Sequence, residues 1–192
     1  MDREQERLIK KKLKKRLTKD RYIHTLGVAN TCVSLAMSLG TDLDRAYMAG
    51  LLHDCAKCIP DDEKIAKCER HNIEITDIER KSPYLLHTKL GAHIALNKFG
   101  VTDEEILSAI LCHTTGKPEM TDLELILFVA DYIEPGRDRA PRLKEIRMEA
   151  FHDIKHAAYM ILKDTLSYLE QKGNPIDDMT VKTFNYYKTF FE

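Results

Sequence analysis

Residues 121–136 read Thr-Asp-Leu-Glu-Leu-Ile-Leu-Phe-Val-Ala-Asp-Tyr-Ile-Glu-Pro-Gly and predict a buried helix with a defined start and end. Thr121 precedes a glutamate by three residues, which is the spacing of a capping box, and Pro135 is typical of a helix end. Residues 125–130 form the longest uninterrupted apolar run of the chain. A membrane-spanning helix needs roughly 20 such residues. We therefore expect a soluble helical protein without a membrane span.

The same helical spacing of apolar residues continues through the rest of the chain. Thr41 and Thr102 also precede a carboxylate by three residues, glycines follow several periodic segments, and no stretch alternates as a strand does. We predict an all-α bundle of about eight to nine helices, with a loop that contains a short helical turn at 72–83 and a second loop at 134–141. The expected helices span about 2–18, 22–39, 42–58, 61–71, 84–99, 103–114, 122–133, 142–171 and 178–190.

The composition is that of one globular domain. The chain has 192 residues, of which 43% are hydrophobic and 32% charged, and this excludes long disorder and collagen-like repeats. Five scattered cysteines do not suggest a disulfide framework. We interpret Cys55 and Cys58 as buried packing residues rather than a zinc or redox motif. The first residues have no apolar segment of a secretory signal, so we expect a cytoplasmic protein.

Positive charge is concentrated at the N-terminus. The first 21 residues contain ten basic and four acidic side chains, whereas the whole chain has a net charge of −1. Residues 1–18 predict an amphipathic helix that belongs to the same domain as residues 19–192, with its lysines facing water. Its apolar residues are Leu8, Ile9, Leu13 and Leu17. The alternative is a basic arm that binds nucleic acid or another polyanion.

Six residues of the types that bind metal ions fall mainly on different predicted helices. They are His24, His53, Asp54, His87, His113 and Asp131. Imidazole and carboxylate ligands suit iron, manganese, zinc or cobalt, and helical bundles build metal sites from facing helices. Neighbouring side chains on a helix point about 100° apart, so His53 and Asp54 are expected to reach two adjacent ions. We therefore predict two divalent ions bridged by Asp54, with His87 and His113 on the second ion.

The order of these six residues resembles the HD-domain metal-dependent phosphohydrolase superfamily in its two-metal form. More narrowly, the surrounding phrases are similar to the YqeK family, known as symmetrical bis(5'-nucleosyl)-tetraphosphatases. These phrases are Arg21-Tyr22-Ile23-His24-Thr25-Leu26-Gly27-Val28, Ala49-Gly50-Leu51-Leu52-His53-Asp54-Cys55-Ala56-Lys57, Leu86-His87, Gly91-Ala92, His113-Thr114-Thr115-Gly116 and Ala130-Asp131-Tyr132-Ile133-Glu134-Pro135-Gly136-Arg137. The resemblance implies a single HD-domain helical bundle that extends over residues 19–192. It also implies two divalent ions, with iron preferred and manganese, cobalt or zinc as alternatives. The implied reaction is hydrolysis of diadenosine tetraphosphate to two ADP by attack of a metal-bound hydroxide.

Residues next to the ligands suit a phosphate substrate. Lys57 follows Asp54 by three residues and is expected on the same side of the helix, and Arg137 offers a planar fork of donors. We assign catalytic roles to Asp54, Lys57 and Arg137. The expected substrate-binding residues are Lys57, Thr114, Thr115, Gly116 and Arg137. Tyr84 and Ile133 are candidates for packing against a base.

Three alternatives stay open from the sequence. The chain could be an HD phosphohydrolase for a nucleoside monophosphate, a cyclic dinucleotide or a guanosine alarmone. It could instead perform oxygen chemistry at a mixed-valent di-iron centre, or be a nucleotide- or RNA-binding module that works through its basic N-terminal helix. For the enzyme, the expected partner is a dinucleoside polyphosphate or another nucleotide, with neither membrane nor nucleic acid. A homodimer stays open.

Overall fold

Over residues 3–192, which the computed structural model describes, the chain forms eleven α-helices, one 3-10 helix and no strand. The helices are α1 (Arg3–Arg16), α2 (Lys19–Leu39), α3 (Leu43–Leu52), α4 (Asp61–Arg70), α5 (Asp77–Lys81), the 3-10 helix (Pro83–Leu86), α6 (His87–Phe99), α7 (Glu104–Cys112), α8 (Asp122–Ile133), α9 (Leu143–Glu149), α10 (Ile154–Lys172) and α11 (Asp178–Lys188). The predicted all-α class is confirmed. The number of helices exceeds the expected eight to nine.

Two predicted helices are shorter in the structure. The helix expected over 42–58 ends at Leu52, because residues 52–59 continue as tight turns with hydrogen bonds between residues three apart. The helix expected over 142–171 is interrupted, since the side chain of Asp153 caps a new helix, α10. The short helical turn expected within the loop at 72–83 is α5, which begins with a capping box at Thr76.

Helix capping agrees with the sequence prediction at one of three threonines. Thr121 forms the capping box of α8. At the other two places the cap is the aspartate after the predicted threonine: Asp42 accepts from a backbone N–H of α3, and Asp103 accepts from two of α7. The prediction of caps at Thr41 and Thr102 was therefore wrong by one residue, because an aspartate caps a helix as effectively as a threonine.

The predicted apolar helix α8 lies at the centre of the fold. It packs against α2, α3, α7 and α10, and its residues 125–127 and 129–130 are completely buried. Gly50 permits the close approach of α3 to α2, since a Cβ atom at this position would lie 2.6 Å from Ala29 Cα. These contacts bring the helix ends that carry the predicted ligands to one side of α8.

Helix α1 packs on the core through a narrow apolar stripe. Ile9, Leu13 and Leu17 are buried as predicted, whereas Leu8 is exposed, contrary to the prediction. Cys55 is buried as predicted, but Cys58 is exposed because it lies in the turns after α3. None of the helices in the described part of the chain is long and apolar enough to span a membrane.

Candidate metal centre

In each of four histidines, one ring nitrogen lies within hydrogen-bond distance of an oxygen atom. In three of them Nδ1 lies 2.6 or 2.7 Å from the carbonyl oxygen three residues earlier; these are His53, His87 and His113. In His24, Nδ1 lies 3.0 Å from Glu134 Oε1. Carbonyl and carboxylate oxygens only accept, so Nδ1 carries the proton in each ring. The Nε2 atom of each neutral imidazole is then left as a lone-pair donor, as in metal-binding histidines.

The local structure explains this shared orientation. His53 follows the last residue of α3, His113 follows the last residue of α7, and His87 begins α6 directly after the 3-10 helix. At such helix ends a side chain can fold back onto a nearby carbonyl group, because the last carbonyl groups of a helix have no partner within it. The sequence therefore fixes the ring orientation of these three histidines through helix boundaries, whereas His24 is oriented by its long-range contact with Glu134.

Asp54 lies between the histidines, with its two oxygens facing different rings. Oδ1 lies 3.4 Å from His87 Nε2 and 3.7 Å from His113 Nε2. Oδ2 lies 3.3 Å from His53 Nε2 and 3.9 Å from His24 Nε2. This arrangement supports the hypothesis that Asp54 bridges two ions. It also corrects the expectation that His53 and Asp54 point apart, because α3 ends before them and the turn brings them together.

Asp131 lies beside His24 and His53. Its Oδ1 lies 2.9 Å from His24 Nε2 and 3.9 Å from His53 Nε2. Two groups of three residues have ligand atoms that all lie within 4.8 Å of one another and could each hold a metal ion. They are His24, His53 and Asp131, and His53, Asp54 and His113. The structure thus brings all six predicted ligand residues together, with His87 beside the second group.

The chemistry of these atoms fits a divalent cation. His53 Nε2 and Asp54 Oδ1 are buried and have no hydrogen-bond partner, which costs about 1–3 kcal/mol for each atom. The lone pair of neutral His24 faces an oxygen of Asp131 at 2.9 Å, and two such acceptor atoms repel each other unless a cation binds both. A buried set of imidazole and carboxylate groups is also the ligand set that iron, manganese, cobalt and zinc prefer.

Asp54 and His87 favour the protonation states that bind metal ions, whereas His53 does not. Burial opposes ionisation of Asp54, but the nearby rings of His53 and His113 hold its pKa well below the usual range. Burial and the charge of Lys57 hold the pKa of His87 well below its usual value. For His53, burial favours the neutral ring, yet the charges of Asp54 and Asp131 together with the carbonyl oxygen of Gly50 outweigh burial and raise the pKa. Metal binding requires the ionised carboxylate and the neutral imidazole.

A cleft of about 550 Å³ opens over the centre and is basic where it meets the ligands. Arg21 Nη1 lies 2.8 Å from Asp54 Oδ2, and Arg137 Nη2 lies 2.8 Å from Asp131 Oδ1. Lys57 Nζ lies 3.1 Å from His87 Nε2. Three positive side chains therefore surround the carboxylates, within reach of an anion that binds in the cleft.

The predicted substrate-binding residues divide between two cavities. Thr114 lines the main cleft, and its Oγ1 lies 3.3 Å from His87 Nε2. Thr115 and Gly116 do not line this cleft; together with Thr114 they line a second cavity of about 300 Å³. The two cavities therefore meet at Thr114. The prediction that Ile133 packs on a base is wrong, because Ile133 is buried in the core.

Sequence reasoning missed Arg21 and Glu134. Arg21 precedes His24 by three residues, so both lie on one face of α2. Glu134 follows Asp131 by three residues, is buried, and accepts hydrogen bonds from His24 and from the backbone of Gly136. The helical spacing from a ligand was the available signal in both cases.

Comparisons with known proteins agree with this arrangement. The HD domain family model matches residues 21–136. A Bacillus subtilis (strain 168) protein named symmetrical bis(5'-nucleosyl)-tetraphosphatase is 40% identical over 91% of this chain and 92% of its own length. A Staphylococcus aureus (strain NCTC 8325 / PS 47) protein of the same name is 36% identical over 93% of this chain and 92% of its own length. A crystal structure from Clostridium acetobutylicum, described as a "predicted HD superfamily hydrolase involved in NAD metabolism", superposes with a TM-score of 0.91 and 38% identity, covering 95% of this chain and 96% of that chain.

Proposed function

This chain belongs to the HD domain family, and we propose that it hydrolyses diadenosine tetraphosphate symmetrically to two ADP. The observation that carries the proposal is a cluster of six residues of metal-binding type, three of which line a cleft that also contains Arg21, Lys57 and Arg137. Relatives that match this chain over about nine tenths of its length are named for this reaction. A phosphate-rich, strongly anionic substrate suits such a cleft.

We propose that the centre holds two divalent ions, with iron preferred over manganese, cobalt or zinc. His24, His53 and Asp131 would hold the first ion, His87 and His113 the second, with Asp54 between them. When bound, such ions polarise a phosphoryl oxygen and lower the pKa of a coordinated water, which is the chemistry of two-metal phosphatases.

The chain's own residues neutralise the negative charge that forms on the substrate during the reaction. A water oxygen adds to one of the two central phosphorus atoms, the bond from this phosphorus to the bridging oxygen breaks, and each half becomes ADP. Negative charge grows on the departing phosphate. Lys57 and Arg137 lie where they can neutralise this charge, and positive groups fixed in advance are the main source of stabilisation in phosphoryl transfer. We assign Arg21 the same electrostatic role, because it lies against Asp54.

Binding of the substrate requires room on both sides of the reacting bond. We propose that the hydroxyl group of Thr114 contacts a phosphate beside His87, and that one half of the substrate extends past it. Thr115 and Gly116 would then contact this half in the second cavity. The position of Thr114 between the two cavities supports this path.

The decisive experiment is chromatography of the products formed from diadenosine tetraphosphate by the protein loaded with Fe²⁺ or Mn²⁺. ADP as the only nucleotide product is expected, and Asp54→Asn serves as the inactive control. Equal amounts of AMP and ATP would contradict symmetrical cleavage. No product from protein that demonstrably binds the metal would contradict the substrate assignment. Oxygen consumption, measured in parallel with the ferrous protein, would favour the di-iron alternative.

A further inference from the structure

The lining of the cleft over the metal centre has two parts of different chemistry. The inner part contains three of the ligand residues and the cations Arg21, Lys57 and Arg137. The other part has no ligand residue and is formed by α8, α10 and the loop between α8 and α9. We name this part the outer lobe; the residues that define it are Tyr132, Ala140, Ile161 and Thr165.

The outer lobe combines apolar surface with free hydroxyl groups. Ile161 belongs to the buried core, and the partly buried ring of Tyr132 packs against the same core. The hydroxyl groups of Tyr132 and Thr165 have no hydrogen-bond partner among the described side chains and backbone groups. Burial raises the pKa of Tyr132 to about 12, so that its hydroxyl stays neutral. Ligand sites typically combine apolar walls with a few such polar groups.

The loop wall of the outer lobe is fixed in position. The guanidinium group of Arg147 donates hydrogen bonds to the carbonyl oxygens of Ile133, Glu134 and Arg137, at 2.9 Å each. At the other end of the loop, Arg142 pairs with Asp164 of α10 at 2.6 Å. The lobe is therefore preformed, which lowers the cost of ordering it around a ligand.

The proposed substrate explains why such a lobe lies beside a phosphate site. Diadenosine tetraphosphate has a nucleoside at each end and the reacting bond in the middle. When that bond lies at the metal centre, the two nucleosides must extend from the centre in different directions. The second cavity shares only Thr114 with the main cleft, whereas the outer lobe belongs to the main cleft and includes Tyr132, the residue after Asp131. The exposed Arg139 at its rim makes only a long contact of 3.8 Å to Asp138.

We infer that the outer lobe binds one nucleoside of the dinucleotide, with the base against the ring of Tyr132 and the ribose towards Thr165. This inference rests on the proposed function. It explains how a single chain can place the bond between the two central phosphates at the metal centre, because each nucleoside then occupies a lobe of its own.

The test uses full-length protein loaded with Mn²⁺ and initial rates of ADP formation from diadenosine tetraphosphate. Thr165→Phe fills the lobe, and Tyr132→Leu removes the ring on which a base would stack. The matched controls are Ser167→Phe, at an exposed position of the same helix, and Tyr168→Leu, at an exposed tyrosine. Thermal unfolding of all four variants identifies any that fail to fold. If Thr165→Phe does not fold, Tyr132→Leu decides the question.

The expected result is an increase in KM of about tenfold or more for Thr165→Phe and Tyr132→Leu, the size expected for loss of base stacking. Both controls should stay within about twofold of the wild type. Unchanged KM in the two lobe variants, with a wild type that forms ADP, would overturn the outer-lobe assignment and leave the proposed function intact. A loss of kcat without a change in KM would overturn it too. A wild type that forms no ADP would overturn both proposals.

Discussion

Glu134 offers a direct test of how the metal centre is held together. Its carboxylate is buried; Oε1 lies 3.0 Å from His24 Nδ1, and Oε2 accepts from the backbone N–H of Gly136 at 2.6 Å. Gly27 makes room for this carboxylate, because a Cβ atom at that position would collide with Oε2. In Glu134→Gln one oxygen becomes an NH₂ group, which cannot accept, so one of the two N–H groups loses its partner.

The size of the effect follows from these two hydrogen bonds. A hydrogen bond to a charged group contributes about 1.5–3 kcal/mol, and an unpaired buried N–H costs about 1–3 kcal/mol. Loss of the partner behind a metal-binding histidine typically lowers metal affinity by about 10–100-fold, which equals roughly 1.4–2.7 kcal/mol. We therefore expect Glu134→Gln to weaken binding at the first ion site about 10–100-fold.

The assay is calorimetric titration of wild type and variants with Mn²⁺, together with thermal unfolding followed by circular dichroism. Glu149→Gln is the matched control, because Glu149 Oε1 contacts His156 Nδ1 at 2.8 Å, the same kind of pair outside the centre. The control should bind Mn²⁺ as the wild type does. Affinity within about twofold of wild type in Glu134→Gln, or an equal loss in both variants, would refute this reasoning.

Three further predictions concern other parts of the molecule. Asp54→Asn should abolish ADP formation and weaken binding at both ion sites in the same titration, because both oxygens face histidine nitrogens. Cys55→Ser should retain activity, because the Sγ atom is hydrogen-bonded to the carbonyl oxygen of Gly91 at 3.5 Å and not to a residue of the centre. Gly50→Ala should lower the free energy of unfolding in urea by about 1–3 kcal/mol through overpacking against α2, and an unchanged midpoint would contradict this contact. Lys11→Glu combined with Lys15→Glu should leave turnover and its salt dependence unchanged, because both lysines are exposed; a large loss of turnover would favour the polyanion-binding alternative.

The six residues that the structure brings together could be predicted because each stands in a recognisable phrase, and the fold class because apolar spacing is helical throughout. The position where α3 ends could not. The apolar pattern continues beyond Leu52 through Cys55 and Ala56, which are buried, and periodicity therefore does not distinguish a longer helix from a series of tight turns. This distinction decides the geometry of the centre: the turn brings His53 Nε2 within 3.3 Å of Asp54 Oδ2.

A similar limit applies to the residues of the cleft. The sequence prediction selected Ile133 for base packing, whereas the structure buries Ile133 and places Tyr132 in the cleft. Adjacent residues on a helix differ by about 100° in direction, so an error of one position changes a cleft residue into a core residue. Identification of a helix does not determine which of its sides faces a neighbouring helix; the packing of α8 against α10 determines it here.

A residue three positions from a ligand in the sequence lies on the same face as that ligand only where the backbone is helical. This spacing places Lys57 beside Asp54, and it would also have found Arg21 and Glu134. The same spacing from His113 selects Gly116, which does not reach the main cleft. Gly116 has a φ of +63°, in the left-handed region, so the chain reverses there after α7 and leads into the second cavity. Gly116 also has no side chain that could enter the main cleft, so spacing from a ligand identifies a site residue only when that residue has a side chain on the same face as the ligand.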